Sequence, residues 1–120
     1  MTYIDGFVAP VKTSDREAYK AYAERSIPAF KEFGAIGMVE GWGDDVPQGT
    51  LTSFPMAVQL KDDETVVFSW IIWPSKEVRD AGMAKMMSDP RFDQKTNPMP
   101  FDGKRMIYGG FEPIVQFQST

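Results

Sequence analysis

The segment TVVFSWIIWPSKEVRDAGMAKMMSDP, residues 65–90, decides the fold. Its opening run, Thr65 to Trp73, is rich in β-branched and aromatic side chains and contains neither glycine nor proline, which predicts a buried strand. Pro74 lacks the N–H that a sheet ladder needs and ends that strand, and Ser75 is placed to cap a following helix with its hydroxyl. The helix, from Ser75 to about Ser88, sets Val78, Gly82, Met83 and Met86 on one arc. Arg79 falls inside the arc. Either its stem packs while the guanidinium reaches the solvent edge, the commoner outcome, or its charge meets a carboxylate in a cavity. The surface of Met83, Met86 and Met87 reads as adaptable core rather than a binding groove.

Upstream, Tyr3 to Val11 alternates two faces and predicts a first strand, with Tyr3, Asp5, Phe7 and Ala9 on one side. Asp5 shares a face with two aromatics, and an exposed end of the strand is the simpler account of it. Ser14 or Asp15 is placed to cap a first helix. On that helix Ala18, Tyr19, Tyr22, Ser26, Ala29, Phe30 and Phe33 form an apolar side opposite Arg16, Glu17, Lys20 and Glu24. Gly34 ends it. Ala35 to Gly43 predicts a second strand with Ile36, Met38, Glu40 and Trp42 on one face and glycines on the other. Phe54 to Leu60 reads as one limb of a hairpin with the strand that follows, a short helix capped by Ser53 being the competing reading. Downstream, the prolines at 90, 98 and 100 predict an irregular connection, and Lys104 to Phe117 predicts a last strand, bent at Gly109 and Gly110 and limited by Pro113.

The order strand, helix, strand, strand, helix, strand is the split βαβ, or ferredoxin-like, pattern, an α+β fold with an antiparallel sheet and two helices on one face. Both strand faces nevertheless carry large apolar groups such as Phe7, Trp42, Trp70 and Tyr108. A second copy of the chain is the simplest cover for the face without helices, so a homodimer is expected.

Composition narrows the chemistry. The 120 residues make one ordinary domain, and cysteine and histidine are both absent. Thiolate chemistry is excluded, the commonest general base and metal ligand are missing, and no metal, haem or other cofactor is expected. Seventeen acidic residues against thirteen basic ones disfavour a nucleic-acid partner. No apolar run approaches the roughly 20 residues that span a bilayer, and the N-terminus lacks a signal-peptide pattern, so no membrane partner and a cytoplasmic location are expected.

The segments VEGWGDDVP (39–47), FSWIIWPSKEVRDAGMAKMMSDPR (68–91) and MPFDGKRMIYGGFEP (99–113) resemble the YbaA-like family of small bacterial proteins, a domain of unknown function. The resemblance implies a dimeric α/β barrel, in which two ferredoxin-like sheets come together, and supplies no catalytic residues. Candidate site residues come from the alternation alone. A cavity on the sheet face away from the helices would gather Tyr3, Asp5, Glu40, Trp42 and Tyr108, with Arg79 or Arg105 at its rim. A carboxylate in such an aromatic-walled space has a raised pKa and becomes a useful base. Two functions follow: a non-catalytic binding or stress-associated protein whose aromatics fill a dimer core, or a cofactor-independent enzyme or binder for a small aromatic or apolar molecule.

Overall fold

The computed structural model describes residues 2–119. Strands β1 (Tyr3–Lys12), β2 (Gly37–Trp42), β3 (Glu64–Trp73) and β4 (Ile107–Phe111) form one antiparallel sheet in the order β2-β3-β1-β4. Helices α1 (Arg16–Phe33) and α3 (Lys76–Ser88) pack on one face, and α2 is a single turn, Phe54–Ala57. This is the ferredoxin-like arrangement.

Each boundary has a local cause. The Ser75 hydroxyl accepts from the Val78 N–H at 3.2 Å and starts α3. Gly34 ends α1 in the left-handed region (φ 106°), where a side chain would be strained. The hairpin expected over 54–60 does not form. Ser53 accepts from the Met56 N–H and Pro55 occupies the first turn, where its missing N–H costs nothing, so the competing short helix is the one observed. The last strand is also shorter than expected: Gly103–Arg105 turns as a 3-10 helix, pairing begins at Ile107, and it ends at Phe111, two residues before Pro113.

The register fixes the two faces. Tyr3 pairs with Trp73, Asp5 with Ile71, Phe7 with Ser69 and Ala9 with Val67, while Met38, Glu40 and Trp42 lie opposite Ile71, Ser69 and Val67 on the far side of β3. This face meets the helices: Ala29, Phe30 and Phe33 of α1 pack with Ile71 and Trp73, joined by Val78, Met83 and Met86 of α3. Gly82 lets α3 approach closely, since a Cβ there would stand 2.8 Å from the Trp73 ring. The opposite face carries Val8, Val66, Phe68, Trp70 and Ile72. Val58 and neighbours from the 43–60 segment cover its Val8–Val66 end, whereas Phe68, Ile107 and Phe111 remain exposed.

Residues 89–106 run back across the helix side of the sheet and are tied down by arginines at both ends. Arg91 pairs with Asp89 and Glu32. Arg105 donates to both carboxylate oxygens of Glu64 at 2.8 and 2.6 Å and to Asp102 at 3.0 Å. These hydrogen bonds lower the Glu64 pKa from its ordinary 4.5 to about 2. Because the folded value lies below the unfolded one, this contribution is present above about pH 4.5 and is lost as pH falls toward 2. Urea midpoints should therefore drop between pH 5 and pH 3, and Arg105→Met should lower the midpoint at pH 6 and flatten that drop. An unchanged pH profile in the variant would assign the acid sensitivity elsewhere.

Candidate functional site

The residues predicted to share a pocket do share one sheet face, but it is the face the helices cover, not the one away from them. The alternation grouped them correctly; the side was wrong, because both faces are apolar and only packing assigns the helices to one of them. Within that face they divide into two groups and an outlier.

The first group is structural. Asp5, expected at an exposed strand end, is only 2% exposed. Its carboxylate accepts from the indole N–H of Trp73 at 2.9 Å and from Arg79 Nε and Nη2 at 3.1 and 2.8 Å. Arg79 therefore meets a carboxylate instead of reaching for solvent, and hydrogen bonding to Asp5 raises its pKa further, so it stays charged. Tyr3 lies under the guanidinium, with 5.2 Å between Arg79 Cζ and the ring centre. Gly110 of β4 leaves room for this cluster, since a Cβ there would collide with the Tyr3 hydroxyl and Arg79. The Asp5 and Arg79 charges and the Trp73 indole N–H are all matched, which marks the cluster as a clasp between β1, β3 and α3.

The second group, Glu40 with Trp42, faces open space. A chamber of about 450 Å³ lies between the sheet and the helices, within the size range of small-molecule sites. Its walls are Phe7, Ala9 and Ile71 from the sheet, Tyr22, Ala23, Ser26 and Phe30 from α1, Met83, Met86 and Met87 from α3, and Phe92, Met99, Phe101 and Met106 from the returning segment. The methionines read as core filler thus line a cavity. Its polar centre is Glu40, Ser69 and Tyr19. Tyr19 donates to Glu40 Oε1 at 2.6 Å, and Ser69 stands directly opposite Glu40 across β2 and β3. Partial burial raises the Glu40 pKa from its ordinary 4.5, while hydrogen bonds with Tyr19 and Ser69 pull it partly back, and the residue keeps contact with solvent. Burial, followed by the adjacent Glu40 charge, raises the Tyr19 pKa, which keeps the phenol a proton donor. Trp42 lines a second cavity of about 440 Å³ between α1 and β2, to which Glu40 and Tyr19 also belong.

The outlier is Tyr108, which is 73% exposed and touches the site only through its neighbour Phe7, 6.5 Å away between ring centres. Arg105 is held by Glu64 and Asp102, away from the polar centre. Sequence reasoning missed Tyr19 and Ser69. The available signal was three hydroxyls, Tyr19, Tyr22 and Ser26, along the buried side of α1, and a serine inside an otherwise apolar strand.

Residues 2–103 match the family described as "Protein of unknown function (DUF1428)". The chain belongs to that family. DUF1428 relatives include "Uncharacterized protein YbaA" of Escherichia coli strain K12, 57% identical over 115 residues, which covers 96% of this chain and 98% of the relative. The same protein of Shigella flexneri is equally similar. Among solved structures the fold is similar to SnoaB, a cofactor-independent oxygenase from Streptomyces nogalater, with TM-score 0.62, 13% identity and 98% of both chains covered. A dimeric ferredoxin-like protein from an uncultured marine organism gives TM-score 0.58, 11% identity and 98% coverage of both chains. A NIPSNAP-like domain protein from Burkholderia xenovorans gives TM-score 0.61 and 13% identity, covering 98% of this chain and 90% of that one. At these identities the structures show a shared fold. No helix among the described residues of this DUF1428 member is long and apolar enough to cross a membrane.

Proposed function

We propose that this chain binds a small, largely apolar molecule in the chamber between sheet and helices, and that Glu40 accepts a hydrogen bond or a proton from it. The observation that carries the reading is the Glu40–Tyr19 pair at 2.6 Å, set among aromatic and methionine side chains in a chamber of about 450 Å³. An apolar cavity with a few converging polar groups is the usual form of a small-molecule site. Methionine walls suit ligands of varied outline, since the thioether chain is unbranched and polarisable. Of the two functions drawn from the sequence, the chamber supports the small-molecule binder over a protein whose aromatics only fill a dimer core.

A catalytic role for the pair is the second reading, favoured by the raised Glu40 pKa. A carboxylate with a raised pKa, hydrogen-bonded to a neutral phenol, can take up a proton from an acidic O–H or C–H without a cofactor. That SnoaB is a cofactor-independent oxygenase agrees with such chemistry at the level of fold alone.

The working unit in this proposal is a homodimer. Phe68, Ile107 and Phe111 expose an apolar face on the side without helices, and Ile114, Val115 and Phe117 beyond β4 are almost wholly exposed. A second copy covers both, and the marine ferredoxin-like protein is described as dimeric.

Calorimetric titration with 2-naphthol tests the site. Wild type is expected to bind more tightly at pH 8 than at pH 5, because ionised Glu40 is a stronger acceptor for the hydroxyl than the protonated acid. Glu40→Gln, which keeps an acceptor for Tyr19, should bind about tenfold more weakly at pH 8 and lose the pH dependence. Identical affinities and profiles for the two proteins would overturn the role of Glu40.

A further inference from the structure

The inner chamber and the outer cavity beside β2 have Tyr19, Ala23, Met38 and Glu40 in common, so the Glu40–Tyr19 pair borders both. Their characters differ. The inner chamber is walled by methionine and aromatic side chains, whereas the outer cavity adds Arg16, Lys20, Glu24 and Trp42. Arg16 and Lys20 are one helical turn apart on α1 and so lie on the same side of it. Among the described residues neither enters an ion pair, in contrast to Arg79, Arg91 and Arg105, which are all matched to carboxylates. The Arg16 guanidinium lies 5.8 Å from the centre of the Trp42 ring, which holds it over the cavity wall without neutralising it. Glu24 is the one carboxylate added on this side. The outer cavity thus presents two available cations and an aromatic wall, and shares the Glu40–Tyr19 pair, Ala23 and Met38 with the apolar chamber.

We propose that the two cavities form one bipartite site for an amphiphilic carboxylate, its apolar body in the inner chamber and its anionic head between Arg16 and Lys20. The inference rests on the ligand-binding reading above and names the substrate class. In this proposal the body and head are joined by a spacer of several bonds that passes the residues common to the two cavities, the Glu40–Tyr19 pair among them. A hydroxyl or an acidic C–H in that spacer is the group presented to Glu40. The head stays on the outer side, where Arg16 and Lys20 offset the repulsion from Glu40 and Glu24.

A matched pair of probes, 6-phenylhexanoate and 6-phenylhexan-1-ol, separates head from body. Calorimetry at pH 8 should show the carboxylate binding about fivefold more tightly than the alcohol, a preference of the size expected for two partly exposed cations. The doubly substituted Arg16→Gln, Lys20→Gln protein should bind both probes alike, at the affinity wild type shows for the alcohol. Both side chains are exposed on α1, so the variant keeps its core; unchanged circular dichroism and thermal midpoint serve as the control. A filled inner chamber, made by Ser26→Trp at a position that lines the inner chamber and not the outer cavity, should weaken both probes together. If both probes bind wild type equally, or if the preference for the carboxylate survives in Arg16→Gln, Lys20→Gln, the bipartite site is overturned while the inner chamber stands. If neither probe binds wild type, the ligand-binding reading falls and this inference with it.

Discussion

Asp5→Ala is expected to destabilise the fold by about 3 kcal/mol, the scale for removing one partner of a buried ion pair. For a chain of this length that lowers the thermal midpoint by roughly 10 °C. The loss comes from what remains. Without the carboxylate, the Trp73 indole N–H has no acceptor at a position with no solvent access, and the Arg79 guanidinium is left with Asp80 alone on the protein surface. Arg79→Met should cost a similar amount, since it leaves the Asp5 charge with the Trp73 N–H as its remaining side-chain donor. The Asp5→Ala, Arg79→Met protein should lose clearly less than the sum of the two single losses, because no buried charge is left unmatched, although the Trp73 N–H still lacks its acceptor. Thermal denaturation of the four proteins checks the cycle. A loss below about 1 kcal/mol for Asp5→Ala, or simple additivity in the double variant, would remove the clasp from the account of stability.

In the proposed homodimer, Phe68→Glu is expected to weaken self-association at least about thirtyfold, the scale of a central interface aromatic. Phe68 stands on the face without helices, 44% exposed, with the tilted rings of Trp70 and Phe54 at 5.5 and 5.6 Å between centres. A glutamate there remains solvated in a monomer but is desolvated without a partner under a second copy. Light scattering at micromolar concentration measures the change, with circular dichroism to show that the variant is folded. A wild-type monomer at that concentration, or a variant that stays dimeric, would remove this face from the proposed interface. Because the chamber lies on the other side of the sheet, Phe68→Glu should leave 2-naphthol affinity nearly unchanged.

Much of the fold was legible because the punctuation is local. Ser75 and Pro74 announce the β3–α3 junction, Gly34 the end of α1, and the alternation in β1 and β2 the composition of each face. The hairpin expected over 54–60 failed on a competition between two local signals: a capping serine followed by proline at the first helical turn prevailed over an apolar run. The last strand was overextended because Lys104 to Phe117 is apolar enough for a strand, whereas the turn at Asp102, whose carboxylate accepts from the Lys104 N–H, delays pairing to Ile107.

The candidate site was legible in part, with its roles exchanged. Asp5 and Arg79 are a carboxylate and a cation sharing a face with aromatics, yet in space they saturate one another and hold the sheet to α3. Glu40 carries the same kind of charge two pairing steps along the sheet, but its partner is the neutral phenol of Tyr19, which leaves it an acceptor facing open space.

Strand periodicity by itself determined that Tyr3 shares a face with Asp5 and Glu40 with Trp42, because side chains alternate with a period of two. The register, which a one-residue slip would reverse, then puts both pairs and Tyr108 on one face of the sheet. Only the tertiary structure decided that the helices lie on that face. Both faces are apolar enough to be covered, so the choice is made by the β3–α3 connection and by the close contact of Gly82 with Trp73. From that choice follow the clasp at Asp5, the chamber around Glu40, and the exposed aromatic side of the sheet.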